Sequence, residues 1–277
     1  MGKTILLTGA TDGIGLETAK ILSAAGHNVL LHGRSAEKLA GLKETLSQVA
    51  TAGAIEVYRA DLSRLEEVEA LAGTVASRHR HLDVLINNAG VYKLSGSSTQ
   101  AGLEVRFLVN TIAPYLLTRR LLPLFSTGGR VINLSSAAQA PVDLDALRGK
   151  RSLGDGEAYA QSKLALTMWS FELARELGDA GPAIIAVNPA ALLATKMVKD
   201  AYGVAGNDLR IGADILVRAA LDDEFADASG RYYDNDNARF ADPHYDALDP
   251  NRTGAIVSVI EEVISTHSPK LAAAPRV

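Results

Sequence analysis

The sequence predicts an α/β protein made of one domain, with a doubly wound, mostly parallel sheet of seven strands and helices on both faces. Three observations predict this class. Short apolar runs alternate with helical patterns, a glycine-rich turn joins the first run to the first helix, and no low-complexity linker divides the chain. Strands that alternate with helices favour right-handed βαβ units and a parallel sheet.

The elements follow from the apolar pattern in chain order. We expect strands at 4–8, 28–32, 55–58, 84–86, 131–134, 183–187 and 231–233, and helices at 14–25, 36–50, 65–77, 103–122, 157–177 and 253–265. The domain then covers 1–268, with an extended segment at 139–156, a substrate lid around 190–207 and a flexible tail at 269–277.

Composition restricts the class of protein. Of the 277 residues, 47% are hydrophobic and 22% charged, with a net charge of -4, which is typical of a globular chain with a core. The mild acidity gives no reason to expect nucleic acid or an anionic membrane as partner. No targeting segment precedes the first strand and no apolar run is long enough to span a bilayer, so we expect a cytoplasmic protein. The lack of cysteine excludes disulfides and thiolate chemistry.

A glycine-rich turn follows the first strand. It reads Gly-Ala-Thr-Asp-Gly-Ile-Gly from position 9 to position 15. Glycines let the backbone approach a pyrophosphate closely, and the free N–H groups of the following helix hold its negative charge. The turn therefore predicts a dinucleotide-binding Rossmann fold rather than a merely tight connection, with six cofactor-binding residues: Gly9, Thr11, Asp12, Gly13, Ile14 and Gly15.

The end of the second strand indicates which dinucleotide binds. An acidic residue there accepts hydrogen bonds from the ribose of NAD, but this chain has His32-Gly33-Arg34-Ser35. The planar guanidinium of Arg34 suits a 2′-phosphate, so the sequence favours NADP(H) over NAD(H). Two observations stand against this prediction: Arg34 is alternatively a solvated side chain, and Asp12 adds negative charge near the phosphates.

Tyr159 and Lys163 lie four residues apart at the start of a helix, so both point from the same face. Such a pair either decorates the surface or does chemistry. Asn110 carries a second signal, because Pro114 has no N–H to donate to the carbonyl of Asn110 four residues earlier. That carbonyl is then free to hold a water, or the proline simply kinks the helix.

These motifs stand in a recognisable order. The sequence TGATDGIG at 8–15, Asp61-Leu62, Asn88-Ala89-Gly90 and Tyr159-x-x-x-Lys163 together resemble the short-chain dehydrogenase/reductase family over about 3–197. The glycine spacing resembles the oxidoreductase branch rather than the sugar-nucleotide epimerases. The distance from Ser136 to Tyr159, with 22 residues between them, is longer than in compact members and resembles the retinol dehydrogenase and protochlorophyllide reductase-like subgroup.

The resemblance implies roles for individual residues. It implies a catalytic set of Asn110, Ser136, Tyr159 and Lys163, in which Asn110 holds a proton-relay water. Asp61 resembles the residue that binds the adenine amine, although it is alternatively the cap of the next helix. The remaining implied cofactor contacts are Leu62, Asn88, Ala89, Gly90, Pro189, Leu192 and Thr195, together with Tyr159 and Lys163.

The implied chemistry is a hydride transfer between the cofactor and a carbonyl or alcohol carbon. A free tyrosine has a pKa of about 10, and a nearby ammonium lowers that pKa by favouring the phenolate. Tyr159 would act as the general acid/base, Ser136 would bind the substrate oxygen, and Lys163 would tune Tyr159 and hold the nicotinamide ribose. This chemistry requires no metal.

One departure from the family lies after the sixth strand. Ala190-Ala191 stands where the family has glycine after Pro189. Glycine adopts backbone torsions that alanine disfavours, so we expect a reshaped loop at the nicotinamide.

The substrate pocket is predicted to be apolar. Its candidate residues, which are alternatively lid-packing residues, are Val91, Tyr92, Val142, Leu193, Met197 and Tyr202. The sequence thus favours an NADP(H)-dependent reductase of a hydrophobic ketone or aldehyde, or a dehydrogenase of the alcohol. The alternatives are a non-enzymatic NADP(H)-binding redox sensor and a lyase on the same fold. The resemblance also implies a homodimer or homotetramer through helices 103–122 and 157–177.

Overall fold

Eight strands form one sheet in the computed structural model, which describes residues 2–94, 96, 98, 99, 102–195, 197–199 and 203–267. The spatial order is β3-β2-β1-β4-β5-β6-β7-β8, and neighbours pair in parallel except β7 with β8. The strands are β1 (Thr4–Leu7), β2 (Asn28–Gly33), β3 (Ile55–Arg59), β4 (Val84–Asn87), β5 (Arg130–Leu134), β6 (Ala183–Asn188), β7 (Arg231–Asp234) and β8 (Arg239–Ala241). The predicted doubly wound α/β class is confirmed.

Helices cover both faces of the sheet. The α-helices are α1 (Gly13–Ala24), α2 (Ala36–Ser47), α3 (Leu65–Arg78), α4 (Val105–Phe107), α5 (Ala113–Leu121), α6 (Leu144–Leu147), α7 (Asp155–Leu177), α8 (Leu209–Leu221) and α9 (Pro250–His267). Because side chains alternate along a strand, Ile5 and Leu7 pack towards α1, α2 and α8, whereas Leu6 packs towards α3, α5, α7 and α9. Both faces are therefore apolar, which explains strands that read as continuous apolar runs.

The eighth strand corrects the prediction of seven. Residues 239–241 carry only one large apolar side chain, Phe240, and they are too few for an alternating pattern to appear. A short polar turn reverses the chain after β7, so β8 pairs antiparallel with it at the sheet edge. The Arg231 guanidinium lies 3.9 Å from the centre of the Phe240 ring and supports this edge.

The helix predicted at 103–122 is interrupted. One wide π-turn at Leu108–Ile112 separates α4 from α5, and the N–H of Ala113 donates to the carbonyl of Leu108. Pro114 stands at the start of α5 and cannot donate to Asn110. Wide turns of this kind are frequent at functional sites, and this one contains Asn110.

The extended segment at 139–156 folds against the carboxyl-terminal part of the chain. Its short helix α6 carries Arg148, whose Nε lies 2.9 Å from a Glu262 carboxylate oxygen on α9. Helix α9 also packs along α7, so Trp169 and Leu173 are fully buried within the chain. A homodimer or homotetramer stays a prediction; these two side chains are not free to form its interface.

None of the helices in the described ranges has the length and apolar character needed to cross a membrane. The predicted tail at 269–277 lies outside the described residues, as do parts of the predicted lid at 190–207.

Candidate active site

A cavity of about 620 Å³ opens at the carboxyl ends of the parallel strands. Each of the first six strands ends at this cavity, which is where open α/β sheets bind ligands. Three of the four predicted catalytic residues line it: Ser136, Tyr159 and Lys163. All the predicted cofactor residues line it as well: Gly9, Thr11, Asp12, Gly13, Ile14, Gly15, Arg34, Asp61, Leu62, Asn88, Ala89, Gly90, Pro189, Leu192 and Thr195.

The glycine turn between β1 and α1 is shaped for close approach. Gly9 and Gly13 have φ angles of 67° and 54°, which favour glycine. A Cβ on Gly15 would lie 2.2 Å from the Gly9 carbonyl oxygen, so no side chain fits there. Asp12 caps α1 by accepting from the N–H of Gly13 at 2.8 Å. These features make the turn a cradle that suits a pyrophosphate at a helix N-terminus.

His32 holds this turn and was not predicted as a site residue. Its Nδ1 accepts from the N–H of Gly9 at 3.3 Å, and its Nε2 lies 3.1 Å from the carbonyl oxygen of Ala60. Because a carbonyl only accepts, Nε2 carries the proton and the ring is neutral. Burial lowers the pKa of His32 to about 4, which keeps the ring neutral near pH 7. A polar residue in an otherwise apolar strand was the available signal.

The ends of β2 and β3 are joined through a guanidinium group. Arg34 lines the cavity, and Nε of Arg59 donates to the Arg34 carbonyl at 3.3 Å. The Asp61 carboxylate accepts from the N–H and the hydroxyl of Ser63 at 3.0 and 2.8 Å. Asp61 therefore both faces the cavity and stabilises the turn before α3.

The segment after β4 ties the sheet together beneath the cavity. Nδ2 of Asn88 donates to the carbonyls of Thr8 and Gly9 at 2.9 and 3.1 Å, and the N–H of Ala89 donates to the Thr8 hydroxyl at 3.1 Å. A Cβ on Gly90 would lie 3.5 Å from Lys163 Nζ. Asn88 and Ala89 therefore hold β1 and β4 together in addition to lining the cavity wall.

Tyr159 and Lys163 share one face of α7 inside the cavity. The Lys163 ammonium lies 5.8 Å from the centre of the Tyr159 ring and donates to the Leu134 carbonyl at 2.6 Å. Lys163 is 3% exposed, and burial lowers its pKa to about 8. A nearby ammonium stabilises the phenolate form of a tyrosine. A tyrosine that acts as an acid/base needs such a neighbour.

Tyr92 packs on the other side of Tyr159, with ring centres 4.9 Å apart at 62°. The buried guanidinium of Arg106 holds this wall, because its Nε donates to the Tyr92 carbonyl. Arg106 also pairs with Glu104 at 2.8 Å and with Asp155 at the start of α7. Arg106 thus joins the pocket wall to the catalytic helix, a role that no motif of the sequence indicated.

Asn110 lies behind the cavity. Its amide oxygen accepts from the N–H of Val91 at 2.8 Å, and Nδ2 donates to the Val91 carbonyl at 3.0 Å and the Ser162 hydroxyl at 2.9 Å. Ser162 in turn donates to the Tyr159 carbonyl at 2.7 Å. The side chain of Asn110 therefore positions the loop after Gly90 against α7, and it does not line the cavity.

The two serines after β5 point in different directions, as strand alternation predicts. Ser136 lines the cavity, and its hydroxyl oxygen accepts from the N–H of Ala138 at 3.1 Å. The Ser135 hydroxyl is buried and lies 2.7 Å from the hydroxyl of Thr167. Ser136 is thus the serine available to a substrate oxygen.

The loop after β6 has strained torsions. Ala190 has φ 112° and Leu192 has φ 50°, which agrees with the expected reshaping around the alanines. Thr195 faces the glycine turn, since a Cβ on Gly13 would lie 3.5 Å from its Cγ2. Leu192 is 47% exposed at the cavity mouth.

Four predicted substrate-pocket residues line the cavity, namely Val91, Tyr92, Leu193 and Met197. Val142 is not part of the cavity lining and packs against the hydrophobic core, so its predicted pocket role stays a prediction. Tyr202 lies outside the described residues. Within the described ranges, no group of three or more potential ligand side chains is arranged to hold a metal ion.

Known proteins share the sequence motifs that line the cavity. A model of the short chain dehydrogenase family matches residues 3–203. Human retinol dehydrogenase 13 is 31% identical over 254 residues, which cover 84% of this chain and 76% of that protein. Human retinol dehydrogenase 11 is 36% identical over 192 residues, which cover 68% of this chain but only 60% of that protein.

A solved structure supports the relationship. The landomycin C-6 ketoreductase LanV, with bound NADP and rabelomycin, is 26% identical, with a TM-score of 0.67 over 85% of this chain and 95% of that one. The family match covers well over half of the chain and includes the glycine turn, the Asn88 segment and the Tyr159–Lys163 pair. This chain therefore belongs to the short-chain dehydrogenase family.

Proposed function

We propose that this protein is an NADP(H)-dependent oxidoreductase that interconverts a hydrophobic ketone or aldehyde and the corresponding alcohol. The observation that carries the proposal is the placement of Tyr159 and Lys163 on one helix face in a cavity that the glycine turn also lines. The cavity thus combines an acid/base pair with a pyrophosphate cradle. An oxidoreductase of this family needs both.

The proposed cofactor suits the residues of the cavity. Gly9, Gly13 and Gly15 leave room for a pyrophosphate, and Arg34 faces the position that a 2′-phosphate would take after β2. Arg59 supports the backbone of Arg34, because its Nε donates to the Arg34 carbonyl. The bound NADP of the LanV ketoreductase supports the same preference. When bound, the nicotinamide supplies or accepts the hydride.

The protein residues would manage the substrate oxygen and its proton. During reduction, the Tyr159 hydroxyl donates a proton to the carbonyl oxygen, and in the reverse direction the phenolate accepts it from the alcohol. The Lys163 ammonium stabilises that phenolate because the two groups lie on the same cavity wall and Lys163 is buried. The Ser136 hydroxyl donates a hydrogen bond to the same oxygen and stabilises its developing charge.

Asn110 is proposed to serve this pair through its position. Its amide holds Val91 on one side and Ser162 on the other, and Ser162 is bonded to the backbone of Tyr159. Its main-chain carbonyl, which Pro114 cannot engage, is the proposed holder of the relay water. A proton given up by Tyr159 would be replaced along this route.

An apolar substrate suits the mouth of the cavity. The side chains on this side belong to Val91, Leu192, Leu193 and Met197, and Tyr92 adds a ring beside Tyr159. Apolar lining with a few polar groups at the reacting centre is typical of small-molecule sites. The names of the relatives, two retinol dehydrogenases and a ketoreductase, support an alcohol and ketone pair.

A turnover screen tests the proposal directly. The purified protein is assayed with NADPH and with NADH against a panel of aliphatic, aromatic and polyene ketones and aldehydes, and with NADP⁺ against the alcohols. We expect NADPH oxidation with the larger apolar carbonyls and slower turnover with small polar ones. Tight NADPH binding without turnover on any member of the panel would favour the redox sensor instead.

Arg34→Asp tests the cofactor preference. The new carboxylate repels a 2′-phosphate and can accept hydrogen bonds from a ribose hydroxyl. We expect the ratio of kcat/KM for NADPH over NADH to fall by at least about tenfold, which corresponds to roughly 1.4 kcal/mol. Ser47→Ala, on the far end of α2, serves as a control, and an unchanged ratio in Arg34→Asp would refute Arg34 as the phosphate reader.

A further inference from the structure

The loop after β6 keeps two residues in a conformation that side chains disfavour. Ala190 has φ 112° and Leu192 has φ 50°, and both residues line the cavity. Any residue with a Cβ pays a free-energy cost at such torsions, which persist only when the surroundings hold them. Something outside the loop must therefore fix its shape.

The turn between β7 and β8 supplies the contacts at Ala190, and Asn207 bonds the carbonyls of Ala191 and Leu192. Nδ2 of Asn235 donates to the Pro189 carbonyl at 2.9 Å, and the Asp236 carboxylate accepts from the N–H of Ala191 at 2.8 Å. These two backbone groups belong to the peptide planes on either side of the Ala190 Cα. The φ and ψ angles of Ala190 describe how those two peptide planes are rotated about its Cα. The side chains of Asn235 and Asp236 therefore hold both angles.

The turn is itself bonded to the end of β6. Nδ2 of Asn188 donates to Asp234 at 3.0 Å and to the second oxygen of Asp236 at 2.9 Å. The N–H of Asp236 donates to the Asp234 carboxylate at 3.1 Å. Because strand and turn are joined in this way, the Asp236 carboxylate has a fixed direction although its side chain is exposed.

The loop leads directly to the cofactor side of the cavity. Thr195 follows the loop and faces Gly13. The side chains of Leu193 and Ile14 both lie against Gly212, so the loop also reaches the start of α1. A change in the torsions of Ala190 would therefore move the wall that lies opposite the glycine turn. The β7–β8 turn lies outside the cavity, but a change there would still reach the cavity wall along the backbone of the loop.

We propose that the β7–β8 turn is a clamp for the cofactor-binding loop and that Asp236 is its main positioning residue. The clamp holds Ala190 in a conformation that glycine would adopt without help, and it keeps the loop in the shape that receives a nicotinamide dinucleotide. This inference rests on the proposed function for the identity of the ligand.

A double-mutant cycle with Ala190→Gly and Asp236→Ala tests the clamp, with the dissociation constant of NADPH measured by fluorescence titration. In the Ala190 background we expect Asp236→Ala to weaken NADPH binding about five- to tenfold, because the loop relaxes. In the Ala190→Gly background we expect less than about a twofold loss, because glycine adopts the bound torsions without a clamp. The thermal midpoint of the unliganded variants provides a second readout.

Two further variants complete the experiment. Asp236→Asn keeps an oxygen that can accept from the N–H of Ala191 but loses the acceptor for Nδ2 of Asn188, so it should retain more NADPH affinity than Asp236→Ala. Asn237→Ala removes an exposed amide of the same turn that bonds Asp234 rather than the loop, and it should behave like the parent. The conservative variant also keeps the test decisive if Asp236→Ala folds poorly.

The outcomes separate this inference from the proposed function. Equal losses of NADPH affinity in both backgrounds, or no loss in either, would overturn the clamp while leaving the oxidoreductase assignment intact. Failure of the parent protein to bind NADPH or NADH would overturn the proposed function itself. A loss confined to the Ala190 background, smaller in Asp236→Asn than in Asp236→Ala, supports the clamp.

Discussion

Single buried residues decide how the site responds to pH, and His32 is the clearest case. Its ring is 2% exposed and joins the glycine turn to the segment after β3 through two hydrogen bonds. With a pKa of about 4 in the folded protein, against 6.5 when exposed, His32 binds fewer protons when folded between these two values. The stability contribution is present above pH 6.5 and is lost as the pH falls towards 4.

We therefore predict a loss of about 2 kcal/mol of unfolding free energy between pH 7 and pH 5 from this residue. Urea denaturation at both pH values measures it. His32→Phe should lower the stability at pH 7, because Gly9 and Ala60 lose their hydrogen-bond partner, but it should lose less on acidification. His81→Gln, an exposed control, should keep the full acid dependence; an equal dependence in His32→Phe would contradict the assignment.

The buried position of Lys163 lowers the free energy of unfolding. Burial lowers its pKa to about 8, so below pH 8 the folded protein carries a poorly solvated ammonium. The resulting penalty is fully present below pH 8 and disappears as the pH rises towards 10.5, so the stability from this group rises over that window. The Leu134 carbonyl offsets only part of the penalty.

Lys163→Met should raise the unfolding free energy of the cofactor-free protein by about 2 kcal/mol at pH 7 while turnover is lost. Denaturation at pH 7 and pH 9.5 should show a smaller rise with pH in the variant than in the parent. Lys43→Met removes an exposed lysine of α2 and should change neither value appreciably. A variant less stable than the parent at pH 7 would contradict this account of Lys163.

Whole elements are joined at the site by the Arg106 guanidinium. It connects α4 with the first turn of α7 and with the backbone of Tyr92, and its side chain is completely buried. Of its two carboxylate partners, Glu104 is 9% exposed, whereas Asp155 is 46% exposed and can turn to solvent. Removal of the guanidinium would therefore leave one buried charge without compensation.

Arg106→Met should lower the unfolding free energy by about 3–5 kcal/mol and raise the KM for substrate, because the Tyr92 wall loosens. Adding Glu104→Gln should recover part of the stability, since the orphaned charge is removed. Arg120→Met, which breaks a partly exposed pair with Glu69, should cost about 1 kcal/mol or less. An equal loss of unfolding free energy in Arg106→Met and Arg120→Met would show that the buried ion pairs stabilise the protein no more than a partly exposed pair.

Two elements and one set of contacts were not predicted from the sequence, each for its own reason. The π-turn at Leu108–Ile112 leaves no mark on the apolar pattern, because every side chain in it is buried. Strand β8 has three residues, too few for periodicity to appear. The contacts of Ala190 with the β7–β8 turn join residues more than forty positions apart, so only the folded chain brings them together.

For the molecule as a whole, the sequence predicted the sheet class and 22 of the 35 described residues that line the cavity. It succeeded because parallel strands end at one edge, so motifs that follow successive strands must meet there. It could not predict His32 or Arg106, whose importance depends on burial and partners rather than on spacing. Val142 packs against the core rather than lining the cavity, because an apolar residue in a long connection fits either environment.

Ligand linkage gives a prediction at this scale. NADPH at one hundred times its dissociation constant should raise the unfolding free energy by about 2.7 kcal/mol, because it binds the folded state alone. Thermal denaturation with NADPH, NADH and no nucleotide measures the effect. At equal concentration, NADH should give the smaller shift, and Arg34→Asp should reverse that order. A larger shift with NADH in the parent would contradict the proposed preference for NADPH.

The central claim is that Tyr159 transfers the proton to the substrate oxygen, and Tyr159→Phe tests it most directly. Steady-state kinetics with the best carbonyl of the screen should show a fall in kcat of at least about 10²–10⁴-fold, with the dissociation constant of NADPH within about twofold of the parent. Tyr92→Phe keeps the neighbouring ring and should retain turnover. Unchanged kcat in Tyr159→Phe would contradict the account.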